Sequence, residues 1–550
     1  MEQKAFSTLS RPSVIQEMEQ EQFDVLIIGG GITGAGIALD AATRGLKVAL
    51  IEKNDFASGT SSRSTKLIHG GLKYLQNFDF PVVKETGSER EIVFNNARHL
   101  VHPIRMNFPL IKKESYNLAT LKAGLTLYDR LAGVRKEERH TIYGKRKTMK
   151  NEPLFNKKIV QGSGVYVEYR TDDSRLTLEV AKTAQERGAK LLNYVRMTDF
   201  IQNPDNQVKG IVAKDELSGR TLKITANYIV NAAGPWVDFV RKKDRPIKGK
   251  YMVLAKGIHI VFDRNKLPVQ SSTYFQHKGR LIAVIPRGDT TYVGSTESIY
   301  TEDIEDIHVN KSEVTYLLDC LKDMFPAVNL NISDVISSWA GVRPLIGEEG
   351  KSSAELSRHD EIFESDTGLI TIAGGKLTGY RKMAERIMQY IEKKNKEKKT
   401  ASITESVHLT GGKFSSSEEI EQLIQKLYGS YQQLGFSKQE ISDYVERYGS
   451  NTEVFLKEVA DYDKKDFDKK SRNIRAEVKY TVENEMAATL TDFYDRRTSY
   501  VLFKPNKVLE TLNAAAEEMA ELLNWDKNTM DEQKRKTLYT HHKAVTFLDK

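Results

Sequence analysis

From Phe23 to Ile28 the chain is apolar apart from Asp24, the pattern of a strand buried on both faces of a parallel sheet. Ile32 to Arg44 then follows helical periodicity, with Gly45 just past its end. Leu46–Ile51 is apolar again, so residues 24–53 are expected as strand, turn, helix, strand. Residues 174–188 (SRLTLEVAKTAQERG) have helical spacing and a glycine stop. Within 207–230, VKGIVA and LKITANYIV predict paired strands. YMVLAKGIHIVF (251–262), LIAVIP (281–286) and TYVG (291–294) predict an antiparallel sheet. LITIA (369–373) predicts a further buried strand, followed by Gly374-Gly375 and a helix from about Leu377 to Lys393. The charged run IEKKNKEKKT (391–400) is the expected linker. Beyond it the pattern is helical, with helices expected over 417–428, 436–448, 473–488 and 506–524.

A chain of 550 residues, 39% hydrophobic and 29% charged, has room for two to four domains with sizeable cores. Its single cysteine, Cys320, excludes an intrachain disulfide and a multi-cysteine metal or iron–sulfur site, and no metal site is expected. Residues 1–21 are polar, lack the apolar core of a secretory signal and read as an extended or helical lead-in. The most apolar long window, Val25–Ala42, is interrupted by five glycines and is no membrane span. The net charge of +8 is uneven: residues 401–550 hold 22 basic and 26 acidic side chains, so the first 400 carry the positive excess. Residues 133–158 hold nine Lys/Arg against three Glu, and residues 241–250 hold six against one Asp. Such runs are either solvated loops or a means of attraction to an anionic membrane or substrate. No nucleic-acid-binding motif accompanies them, so nucleic acid is not an expected partner.

Gly29, Gly31 and Gly34 form a G-x-G-x-x-G directly after the first strand. The first glycine permits the tight turn, the second lets the backbone approach a pyrophosphate, and the third lets the helix pack on the strand. Glu52 closes the next strand 23 residues after Gly29, where a carboxylate can accept hydrogen bonds from an adenosine ribose. This motif alone suits FAD or NAD. NAAGPW (231–236, with Ala233 and Gly234) and AGGKLTGY (373–380) each end a strand with a small-residue turn. A sheet visited early, midway and late is typical of flavoproteins with an inserted substrate domain. A helix opening after Gly375 could also direct its positive end at a flavin ring.

GTSSRSTKLIHGGLKYL (59–75), YVEYRTDDSRL, NAAGPWVD, KGIHIVF, WAGVRPL, SRHDEI and GGKLTGYRKMA together resemble the FAD-dependent glycerol-3-phosphate dehydrogenase family, including the related glycerophosphate oxidases, from about residue 22 to the C-terminus. The resemblance implies an α/β fold, α+β overall. It comprises a glutathione-reductase-type FAD-binding Rossmann domain (about 22–75, 152–238 and 340–397), an antiparallel-sheet substrate domain (76–151 and 239–339) and a C-terminal helical domain (401–550). It implies non-covalent FAD and oxidation of sn-glycerol 3-phosphate to dihydroxyacetone phosphate. The family's substrate-site residues match His69, Tyr74, His259, Arg343, Arg358 and Lys376, and Lys73 is expected at the same site. His259 is the expected base, acting with Arg343 and Lys376, while Arg343, Arg358 and Lys376 are expected around the phosphate. Thr60, Ser61, Ser62 and Ser64 stand where the family binds the flavin phosphates and ring, and Gly375, Lys376, Leu377 and Thr378 close the cofactor site. Residue chemistry agrees: a secondary alcohol needs a proton acceptor, which histidine supplies near neutral pH. A phosphate dianion suits the planar fork of arginine.

Two positions depart from the family pattern. Lys73 replaces the usual arginine, keeping the charge but losing bidentate geometry. Gly294-Ser295-Thr296-Glu297 replaces the usual GTTD, keeping a carboxylate on a longer stem. The electron acceptor is a membrane quinone if the chain is a dehydrogenase, or oxygen, with hydrogen peroxide formed, if it is an oxidase. Arg343 and Arg358 are only 15 positions apart, without the extra segment that many of the oxidases carry there, which favours the dehydrogenase. The expected location is cytoplasmic, peripheral on the inner face of the membrane. A homodimer stays open.

Overall fold

The computed structural model describes residues 6–71, 75, 78–112, 117–350, 359–395 and 400–549. The first of two sheets has eight strands. Its parallel centre runs in the order Ile370–Ala373, Thr221–Asn231, Gln22–Ile28, Val48–Ile51, Lys190–Leu192. Val25, Leu26 and Ile27 are wholly buried there, as the unbroken apolar run requires. Helix Ile32–Thr43 packs against helices Asp173–Glu186 and Tyr380–Asn395. The chain therefore enters this sheet early, midway and late, as expected for an interrupted Rossmann domain.

The second sheet has ten strands and is largely antiparallel. Strand Lys250–Asp263 lies between Thr290–Gly294 and Val335–Glu348, both antiparallel to it. Arg280–Arg287 pairs with the other edge of Thr290–Gly294, so the three predicted strands lie together. Val160–Arg170 and Val335–Glu348 also belong to this sheet. The expected division of the chain at 152 and 340 thus does not follow sheet membership.

Helices Ser417–Tyr431, Lys438–Tyr448, Lys469–Asn484 and Pro505–Leu523 occupy the four predicted C-terminal positions within a few residues. Thr452–Asp463, Lys527–Val545 and a π-helical turn at Asp492–Arg497 are additional. In Lys527–Val545 only Thr537 and Ala544 are buried, so that helix has no apolar stripe to betray it.

Of the two readings of the lead-in, extended or helical, the structure takes the helical one, and the expected linker needs correction. The lead-in is a docked helix, Arg11–Gln20, burying Val14, Ile15 and Met18. Its Arg11 donates to Asn193 at 3.1 Å and pairs with Asp215. The expected linker begins inside helix Tyr380–Asn395, where Ile391 and Glu392 are buried. Its residues 396–399 lie outside the described ones. Among the described residues no helix is long and apolar enough to cross a membrane.

Candidate active site

The first strand ends in a turn that only glycine can make. Gly29 has φ +116°, and a Cβ on it would stand 2.6 Å from the Ala232 carbonyl oxygen. Gly31 is the N-cap of helix Ile32–Thr43 and opens into a cavity of about 400 Å³ lined from both sheets. Gly34 is absent from the cavity wall. A Cβ there would lie 1.9 Å from the Gly29 carbonyl oxygen, so close packing of helix on strand requires a glycine at this position.

Glu52 lines the cavity at the end of the second strand. Its carboxylate accepts from the N–H of Gly30 at 2.7 Å and of Asn54 at 2.9 Å. Burial pushes its pKa up despite those two donors. A carboxylate has about four lone-pair sites, so capacity for a ribose hydroxyl remains. Ser61 accepts from the Ile32 N–H at 2.9 Å, and Thr60 donates to the Val342 carbonyl at 2.7 Å. Both line the cavity, together with Ala233, Gly234, Gly375, Lys376, Leu377 and Thr378. Ser64 lines it too, although its hydroxyl donates to Asp173 at 2.7 Å. Ser62 does not: it is buried beneath the turn, with its hydroxyl donating to Gly59 at 3.4 Å. The α-helix expected after Gly375 starts at Tyr380, and the segment beside the cavity is a 3₁₀ turn, Leu377–Gly379. Glycines that admit no Cβ, a helix N-terminus and a strand-end carboxylate at one cavity fit the adenosine diphosphate part of FAD.

Four of the expected substrate residues line the same cavity: His69, His259, Arg343 and Lys376. His259 Nε2 lies 3.0 Å from Thr65 Oγ1, and the ring stacks on Trp339 with centroids 4.7 Å apart. Nδ1 is buried and makes no hydrogen bond among the described residues. Burial, with Arg343 and Lys66 nearby, holds its pKa well below the usual 6.5. Burial also lowers His69, to about 4, with help from Lys376, Arg343 and Arg90. Both imidazoles are therefore neutral near pH 7 and able to accept a proton. Arg343 is exposed toward the cavity, donating to Ser295 Oγ at 3.2 Å, with Glu297 4.0 Å away. Neutral histidines beside cationic side chains make a site that favours an anion. Lys73, Tyr74 and Arg358 lie outside the described residues.

The cavity also has walls that the sequence reading did not single out. Arg63 and Thr65 sit inside the TSSRSTK segment already marked for its serines. Glu168, in YVEYRTDD, lines the cavity and accepts from the Gly70 N–H at 2.9 Å and Tyr128 OH at 3.1 Å. Tyr166, which opens that same segment, and Tyr274 extend the wall across the second sheet; no local spacing joins the two, because their strands are far apart in sequence.

Residues 24–381 match the family described as FAD dependent oxidoreductase, and residues 402–530 match the C-terminal domain of alpha-glycerophosphate oxidase. The chain is 44% identical over 534 residues to an aerobic glycerol-3-phosphate dehydrogenase of Staphylococcus haemolyticus, covering 96% of each chain. It is 42% identical over 550 residues to the enzyme of that name from Bacillus subtilis, covering 99% of each. The crystal structure of the glycerol-3-phosphate dehydrogenase from Bacillus halodurans complexed with FAD superposes with a TM-score of 0.85, at 38% identity and 99% coverage of both chains. An L-alpha-glycerophosphate oxidase from Mycoplasma pneumoniae shares the fold alone, with TM-score 0.54 and 20% identity over 70% of this chain and 98% of that one. Matched along nearly its whole length in sequence and in structure, the chain belongs to the FAD-dependent oxidoreductases, in the family of the aerobic glycerol-3-phosphate dehydrogenases.

Proposed function

We propose that the protein oxidises sn-glycerol 3-phosphate to dihydroxyacetone phosphate and passes the electrons to a membrane quinone. The observation that carries this reading is the meeting of His259, His69, Arg343 and Lys376 in the cavity that the glycine turn opens into. Non-covalently bound FAD supplies the acceptor for the hydride that leaves the substrate's secondary carbon. His259 takes the hydroxyl proton, because its ring is neutral, buried and held in one orientation by Thr65 and Trp339. Arg343, Lys376 and Arg358 hold the phosphate, whose charge matches theirs. Burial does most to depress His259, and Arg343 adds to it; a dianion beside Arg343 offsets that second part and strengthens the base. His69 lines that cavity, and Lys73 and Tyr74 are proposed as further substrate contacts on the family pattern. Residues 22–400 form the oxidoreductase unit and 401–550 its helical companion.

The short spacing of Arg343 and Arg358 supports the dehydrogenase over an oxidase that reduces oxygen. A quinone acceptor requires approach to lipid, and the exposed basic segments support peripheral binding at the cytoplasmic face. The test is anaerobic addition of glycerol 3-phosphate to the purified flavoprotein, followed by a quinone analogue or by oxygen. Bleaching of the flavin, then fast reoxidation by the quinone with little peroxide, is expected. An unbleached flavin would sink the proposed reaction, and fast peroxide formation would make the protein an oxidase.

A further inference from the structure

Glu52 and most of the segment Ser58–Thr65 line one side of the cavity; the turn of residues 53–57 joins them behind that wall, and the C-terminal helices grip both turn and segment. Asp55 is wholly buried and accepts from Arg496 Nε at 2.6 Å, from Arg497 at 2.5 and 2.8 Å, and from Asn193 at 3.0 Å. Burial alone would raise the Asp55 carboxyl, but Arg497 and Arg496 outweigh it and hold it at about 2. Eight residues further on, Arg63 lines the cavity and forks onto Asp495 at 3.0 and 2.5 Å. Arg496 also donates to Asp492 at 2.6 Å and to Asp495 at 3.0 Å. Asp492 in turn accepts from Tyr194 OH at 2.6 Å, and the Tyr194 N–H donates to the Asn54 carbonyl at 2.7 Å.

Asp492, Asp495, Arg496 and Arg497 all belong to the one π-helical turn, Asp492–Arg497. π-Turns recur at functional sites, and buried charges persist only where each is paired. Here three consecutive residues reach partners on the segment that shapes the cofactor cavity, more than 400 positions away in the chain. We propose that this turn positions the cofactor site: Asp495 and Arg497 hold residues 55–63 in the shape that receives FAD, so FAD binding and docking of the C-terminal helices stabilise each other. The proposal rests on FAD occupying this cavity. Coupling of this kind is reciprocal, which makes it visible without turnover.

Two measurements on the full-length apoprotein test it. Hydrogen exchange of the wild type, with and without FAD, should show slowed exchange at residues 485–500 as well as at 29–64. In Asp495→Asn, the dissociation constant for FAD, titrated by flavin fluorescence, should rise at least about tenfold, as loss of one charged hydrogen-bonded partner implies. Exchange at 55–63 should quicken in that variant. Protection confined to 29–64, or a dissociation constant within about twofold of wild type in a folded variant, would overturn the coupling and leave FAD in place. Absence of protection at 29–34 as well would overturn both. If Asp495→Asn does not fold, the wild-type exchange comparison decides alone.

Discussion

Gly294 faces His259 across the antiparallel pair of strands, and a Cβ on Gly294 would stand 2.0 Å from Cδ2 of the imidazole. Trp339 closes the other side of the ring at 4.7 Å, so the ring has no room to yield without leaving Thr65. Gly294→Ala should therefore displace the base while the cofactor site stays intact. Flavin reduction at saturating glycerol 3-phosphate should slow roughly 10²-fold, with FAD content unchanged. Stopped-flow absorbance checks this; an unaltered rate would mean that the orientation of His259 is unimportant.

His259→Ala should slow the same step by roughly 10²–10⁴-fold, the usual contribution of a general base, and weaken substrate binding far less. A reduction rate within about threefold of wild type would exclude His259 as base and turn attention to His69, which lines the same cavity.

Arg343 lines the cavity, and among the described residues its guanidinium is engaged by Ser295 at 3.2 Å and by Glu297 at 4.0 Å. Arg343→Ala should cost a few kcal/mol of transition-state stabilisation with glycerol 3-phosphate and much less with glycerol. Comparison of kcat/KM for the two substrates is the measurement. Equal losses on both would make Arg343 structural.

His69 has a folded pKa of about 4, below the ordinary 6.5, because burial and nearby cations disfavour its charged form. The unfolded chain binds this proton more readily, so the contribution to stability is complete above pH 6.5 and is lost as pH falls towards 4. Its upper bound, from the size of the shift, is about 3 kcal/mol. Thermal unfolding of the apoprotein across that range should show a shallower loss in His69→Gln than in wild type. Parallel curves would show that His69 is not held neutral.

Lys145, Arg146, Lys147 and Lys150 are exposed on one short helix, and Lys242, Lys243, Arg245 and Lys248 are exposed in the second basic run. Each basic residue near an anionic surface contributes about 1 kcal/mol at most, and salt screens it. The protein should sediment with anionic vesicles at low ionic strength and be released at high. No binding at low salt would remove the electrostatic route, and binding indifferent to salt would point to an apolar surface instead.

Features legible in the sequence are those whose physical cause is local. The unbroken run Phe23–Ile28 marks a strand buried on both faces, and Gly29, with φ +116°, marks a turn closed to every side chain. The alternation in KGIHIVF places His259 on one face of a strand. The helix Lys527–Val545 escaped notice because a mostly polar segment carries no periodic apolar signal. Ser61 and Ser62 are neighbours of the same type, yet Ser61 meets the helix N-terminus in the cavity wall and Ser62 lies beneath it; only the path of the backbone separates them.

The sequence by itself therefore determined the glycine turn, the early, middle and late strands of one sheet and the residue types needed for acid–base chemistry and anion binding. Tertiary structure alone decided that Gly294 and Trp339 enclose the His259 ring, and that Asp495 reaches Arg63 across 432 positions. The reason is physical: periodicity and backbone freedom act over a few residues. A buried charge needs a partner, and which partner it finds depends on where folding brings distant segments together.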